Sequence, residues 1–204
     1  MNRRQFIGTA TLATTALAFT QMAFAAPGMM GKLSPDDFDK INKKGNTQLA
    51  ALEPTKEPLS EADTKLLMEV AMGGMMQLQL SQVAVKKATS PDVMMYAKAE
   101  VEEQTGIKAK LMEVAKAKGV ALPKATSEKA AKELTKLEEL SGAEFDKAYL
   151  KESGVAGHKM LQATMTKVEA KAQDATLKAM AMTALPVIKM HLQVAEDELS
   201  DVKG

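Results

Sequence analysis

From Pro58 to its C-terminal end this chain is built almost wholly from strong helix formers, Ala, Met, Lys, Glu and Leu, and this constrains its fold more than any other feature. Punctuation is sparse and falls where helices start and stop. Ser34-Pro35-Asp36 opens a short helix that runs to about Leu52, with a break expected near Gly45. Glu53-Pro54 through Glu57-Pro58 reads as a linker. Four long helices follow. The first spans about Glu61 to Lys87, with Ser60 as cap and Asp63 three residues on; the second begins at Ser90-Pro91 and ends at Gly119. After a connection containing Pro123 and a short amphipathic helix from about Ser127 to Leu140, the third opens with the capping box Ser141-Gly142-Ala143-Glu144 and runs to about Ala172. The fourth begins near Asp174 and should kink at Pro186, which has no N–H to donate.

Each long helix would span ~40–48 Å at ~1.5 Å per residue. The joins at Ala88-Thr89 and around Gln173 are tight, so each pair reads as an antiparallel hairpin. The expected fold is therefore all-α: an antiparallel four-helix bundle over 60–203, with short extra helices at the N-terminus and in the middle connection.

The first 25 residues follow a different logic. Arg3 and Arg4 precede an uncharged stretch that ends in the small-x-small site Ala23-Phe24-Ala25, the pattern of a cleavable secretory signal. Arg3-Arg4-Gln5-Phe6-Ile7 resembles the twin-arginine export motif, so a periplasmic or otherwise exported protein is expected. Residues 26–59 then form a leader, flexible from Ala26 to Lys32, followed by the short helix and the linker. No later run approaches the ~18 apolar residues of a membrane span.

Composition excludes several function classes. Arg3 and Arg4 are the sole arginines, and after cleavage 25 lysines face 26 acids, a net charge of −1. Without Arg forks or Trp, and with only Phe38, Tyr96, Phe145 and Tyr149 as aromatics, the mature chain lacks the usual means of gripping nucleic acid. The absence of Cys rules out disulfides and thiolate sites. No serine sits in a nucleophile motif, so no catalytic residue is assigned. A protein partner or a homo-oligomer stays open.

Polar residues on apolar stripes carry the functional reading. His158 shares a face with Gly154, Leu161, Met165 and Val168, and His191 with Ala184, Val187, Ile188, Val194 and Ala195. Gln77 falls among Val70, Gly73, Gly74, Leu80 and Ala84, and Gln104 among Ala97, Val101, Ile107 and Leu111. If the helices meet at one level, Gln77, Gln104, His158 and His191 form a buried polar layer, bonded internally, to water or to an ion. Two readings follow: an exported, non-enzymatic envelope or stress-related module without a cofactor, or a bundle that binds Cu, Zn or Fe through His158 and His191, with Glu103 or a Met completing the site. Met160, Met165 and Met190 lie close to the histidines in sequence, but Met also fills irregular cores. Di-iron chemistry fits poorly, since Val155 and Ile188 stand where Glu-x-x-His motifs need Glu.

Gly73-Gly74-Met75, the run Ser141 to Tyr149, His158, and Leu185-Pro186 with His191 resemble the ferritin-like bundles of domain-of-unknown-function family four-one-four-two, over about Ser60 to Leu199. The resemblance implies an inward Glu after the Gly-Gly-Met, an Asp-His pair in the second long helix and one His in each of the last two. This chain keeps His158 and His191, but has Gln77 in place of the Glu and Glu103-Gln104 in place of Asp-His.

Overall fold

A computed structural model describes residues 28–201. The signal segment 1–25 lies outside the described residues. Within them the chain is helical, with no strand beyond a single bridge between Met30 and Leu33. The helices are α1 (Pro35–Ala50), α2 (Glu61–Lys87), α3 (Pro91–Lys118), α4 (Glu128–Glu138), α5 (Gly142–Tyr149), α6 (His158–Lys171) and α7 (Ala175–Asp201), with a π-helical segment, Leu150–Gly157, between α5 and α6. No described helix is long and apolar enough to cross a membrane.

Local chemistry sets most of the boundaries. The Ser34, Ser60, Ser90 and Ser127 hydroxyls each accept the backbone N–H three residues on, and Gly119 ends α3 in the left-handed region at φ 68°. Ser141 departs from expectation. It precedes α5 but makes no side-chain cap bond, so the capping box does not form. Nor does α1 break at Gly45. The helix continues through it, and a Cβ there would lie 2.2 Å from Val187 Cγ2, so the glycine serves close packing against α7. α7 contains Pro186 in its interior and spans Ala175–Asp201. Residues 28–32, the described part of the stretch expected to be flexible, pack on the helices. Met30 is fully buried, and the Gly28 and Gly31 N–H groups donate to Asp92 and Glu198.

α2 packs along α3 and α6 along α7; α2 also meets α6, α3 meets α7, and α1 lies against α3 and α7. Two buried carboxylates tie the hairpins together reciprocally. Asp146 of α5 accepts from the Thr89 and Ser90 N–H groups and the Thr89 hydroxyl in the α2–α3 turn. Asp63 of α2 accepts from the Gln173 and Asp174 N–H groups before α7. Asp63 thus spends its side chain on the neighbouring hairpin rather than on its own helix cap.

The apolar core comes in two parts. One contains Leu67, Ile107, Leu111, Leu161, Met165 and Ile188; the other contains Phe38, Leu80, Tyr96, Tyr149, Leu150 and Val194. Along α3, α6 and α7 the changeover falls at residues 97–107, 150–161 and 188–194, and buried polar side chains occupy that gap.

Candidate metal centre

Four of those side chains converge. Glu100 and Glu103, at i and i+3 on α3, share one helix face. His158 is the first residue after the π-helical segment, and His191 projects from α7 five residues beyond Pro186. Glu100, His158 and His191 are fully buried and Glu103 is 3% exposed. One nitrogen or carboxylate oxygen from each lies within 4.8 Å of the others. Ligands held at ~2.0–2.2 Å by one tetrahedral ion are about 3.3–3.6 Å apart, so modest side-chain shifts would be needed to seat one among these four.

The contacts are close without being good hydrogen bonds. Glu100 Oε1 lies 2.9 Å from His158 Nε2, and Glu103 Oε2 lies 2.8 Å from His191 Nδ1, yet neither pair has hydrogen-bond geometry. Glu100 Oε1 also touches His191 Nδ1. Glu100 Oε2, both Glu103 oxygens, His158 Nε2 and His191 Nε2 are buried without a hydrogen-bond partner. Orphaned buried polar atoms are costly and rare, and five on these four side chains suit a cation held among them.

The surrounding groups orient this set. Ser153 O accepts from His158 Nδ1 at 3.1 Å, which fixes the proton on Nδ1 and leaves Nε2 as the ligand atom. The same carbonyl accepts from Gln77 Nε2 at 2.9 Å, and the Ser153 hydroxyl donates to Gln77 Oε1. Gln77 therefore supports the centre from one step away. Its room depends on Gly157, where a Cβ would lie 2.2 Å from Gln77 Nε2. Tyr96 O–H lies 3.4 Å from His158 Nδ1, and the Phe38 ring packs on His191 at 5.2 Å between centroids. π-helical turns often occur at functional sites because the wider turn re-aims the side chains that follow.

Burial and ion pairing oppose one another inside the cluster. Burial works against a charge on Glu100, but His158 and His191 outweigh it and hold that carboxyl well below the usual range. Burial dominates at Glu103 and raises it. Burial also works against charged imidazoles, yet Glu103 and Glu100 raise His191 to about 10, and Glu100 raises His158.

Of the residues expected from sequence, His158, His191 and Glu103 come together here, and Gln77 reaches them through Ser153. Gln104 is buried but faces α2, beside Gly74. The two amides make no hydrogen bond to either histidine; Glu100 and Glu103 of α3 lie against the imidazoles instead. Met165 lies in the apolar core and Met160 is exposed. Glu100 was missed, although it was legible. It lies four residues before Gln104 and seven before Ile107, on the stripe that singled out Gln104, whereas Val101, counted on that stripe, is only half-buried.

The family described as a domain of unknown function (DUF4142) matches residues 48–197, about three quarters of the chain. The chain belongs to this family. No curated protein and no solved structure matches it. The DUF4142 match contains all four cluster residues but begins near the end of α1, so Phe38, which covers His191, precedes it.

Proposed function

We propose that this DUF4142 protein is an exported, metal-binding helical bundle that holds one divalent first-row transition ion between Glu100, Glu103, His158 and His191. One observation carries the reading: four ligating atoms from three helices meet within 4.8 Å in the interior, and most of their polar atoms have no other partner. Two carboxylates neutralise a divalent ion and two neutral imidazoles complete the set, so the loaded centre carries no net charge into the core. An oxygen and nitrogen donor set without thiolate suits Zn²⁺, Cu²⁺ or Fe²⁺ better than Cu⁺. The ligands are closed off from solvent, which fits a structural or stored ion better than a catalytic one.

The same reading takes 60–203 as a ferritin-like antiparallel four-helix bundle in which α2, α3, the run 142–171 and α7 are the four rods. Their neighbour relations, α2 with α3 and α6, and α7 with α3 and α6, form a closed square. It takes residues 1–25 as a cleaved signal and the periplasm as the compartment; the twin-arginine-like segment supports this, since that route carries folded, already loaded proteins.

Metal analysis of the mature chain isolated from its native compartment tests the proposal. About one ion per chain is expected, lost when His158→Ala and His191→Ala are combined. Metal at about 100 times Kd should stabilise by about 2.7 kcal/mol and raise Tm by roughly 5–10 °C. A metal-free chain whose Tm ignores Zn²⁺, Cu²⁺ and Fe²⁺ overturns it.

A further inference from the structure

A second feature lies one turn along α3 from Glu100, on the side that meets α2. Gln104 is 1% exposed, and both its Oε1 and its Nε2 lack a hydrogen-bond partner. It lines a cavity of about 190 Å³ between α2, α3 and the chain after α3, whose other walls include Gly74, Ile107, Leu111, Met112 and Leu122. Apart from the exposed Lys108 the other walls are apolar, so the carboxamide is the one buried polar group presented there. Gly74 keeps the space before it open, because a Cβ would come within 3.1 Å of Gln104 Oε1. This accounts for a glycine in the interior of a long helix, where alanine would favour the helix more.

A buried carboxamide with a free donor and a free acceptor is unstable unless something pairs with both. The complementary shape is another cis N–H/C=O edge, as in a primary amide or a lactam. An ionised carboxylate would satisfy Nε2 and leave Oε1 facing a like partial charge. The volume lies below the ~300–1,000 Å³ of drug-sized sites, which limits the guest to a fragment-sized molecule. Few convergent polar atoms in an apolar wall are the usual make-up of a small-molecule site.

We infer that this cavity is a binding site for a small, largely apolar molecule bearing a primary amide or lactam edge, read by Gln104 and admitted by Gly74. The site is separate from the metal centre and does not rest on it.

Benzamide and N,N-dimethylbenzamide make the test, since the second keeps the ring and carbonyl but has no N–H. Binding to the full mature chain is followed by amide NMR shifts, with and without prior chelation of metal. Benzamide should bind about five- to tenfold more tightly than its dimethyl analogue, with shifts centred on α2 and α3 and unchanged by chelation. Gln104→Leu should fold, keep the apolar cavity and abolish the preference. Gly74→Ala should weaken benzamide in a chain that still contains Gln104. Equal binding of the two probes, or no binding of benzamide to the wild-type chain, overturns the assignment. So does a preference that survives Gln104→Leu.

Discussion

Glu100 Oε1 and His158 Nε2 lie 2.9 Å apart in the closed interior, one on α3 and the other at the start of α6, and no hydrogen bond of proper geometry joins them. The proposed ion would sit between them. Glu100→Gln removes the charge but keeps the shape. It should weaken binding of Zn²⁺ by at least about 100-fold, measured by calorimetric titration. In metal-free protein the same change leaves buried imidazolium without its carboxylate and should cost about 3–5 kcal/mol in urea unfolding.

The pH dependence should run in opposite directions with and without metal. His191 is raised from its ordinary value near ~6.5 to about 10, so its contribution to the metal-free fold is complete below ~6.5. It is lost as pH climbs towards 10, because the unfolded chain releases the proton first. Glu103, raised by burial, acts in the same direction from ~4.3 upward, whereas Glu100, held low, loses its contribution only as pH falls below ~4.3. Metal-free Tm should therefore decline from pH 6.5 to 10. Metal affinity should climb over that range, since the imidazoles must shed about two protons to ligate. Tm and calorimetric profiles across these pH values check both limbs.

Gly157→Ala probes the support behind His158. The new Cβ would fall 2.2 Å from Gln77 Nε2 and force that amide off Ser153. A loss of about 1–3 kcal/mol is expected from overpacking, with metal affinity reduced about 10- to 100-fold. Gln77→Ala alone should reduce affinity without the steric penalty, and comparing the two titrations separates strain from orientation.

Phe38 joins α1 to the centre. It is fully buried and lies against His191 and Tyr96. Phe38→Ala should cost about 3–5 kcal/mol and leave a cavity over His191. Release of bound metal to a chelator, followed by stopped flow, should become faster, because the ligand loses its cover.

Asp146→Ala tests the clamp on the α2–α3 turn. Removing an acceptor of two backbone N–H groups and a hydroxyl should cost about 2–4 kcal/mol by urea unfolding. Metal stoichiometry should stay at the wild-type value, since Asp146 is outside the ligand cluster.

Much of the fold was legible because its signals are local. A serine hydroxyl can cap only the N–H groups beside it, and a Gly at positive φ ends a helix whatever lies nearby, so the boundaries at Ser60, Ser90 and Gly119 follow from neighbours in sequence. Ser141 and Gly45 show the limit. Each carries a local signal of a cap or a break; Ser141 makes no cap bond, and Gly45 stays helical where it packs against Val187 of the distant α7.

The sequence by itself determined that the chain is helical, that it lacks thiolate chemistry, and that His158 and His191 point inward, since composition and a 3.6-residue period suffice for these. Tertiary structure alone decided what those histidines meet. Glu100 and Glu103 are some 55 to 91 residues distant along the chain and become neighbours only because α3, α6 and α7 align at one level. Gln104 lies about 40° round α3 from Glu100 but about 100° from Glu103, so it turns from the cluster towards Gly74 of α2. A one-residue step along a helix selects the partner helix, and only packing fixes which helix stands there.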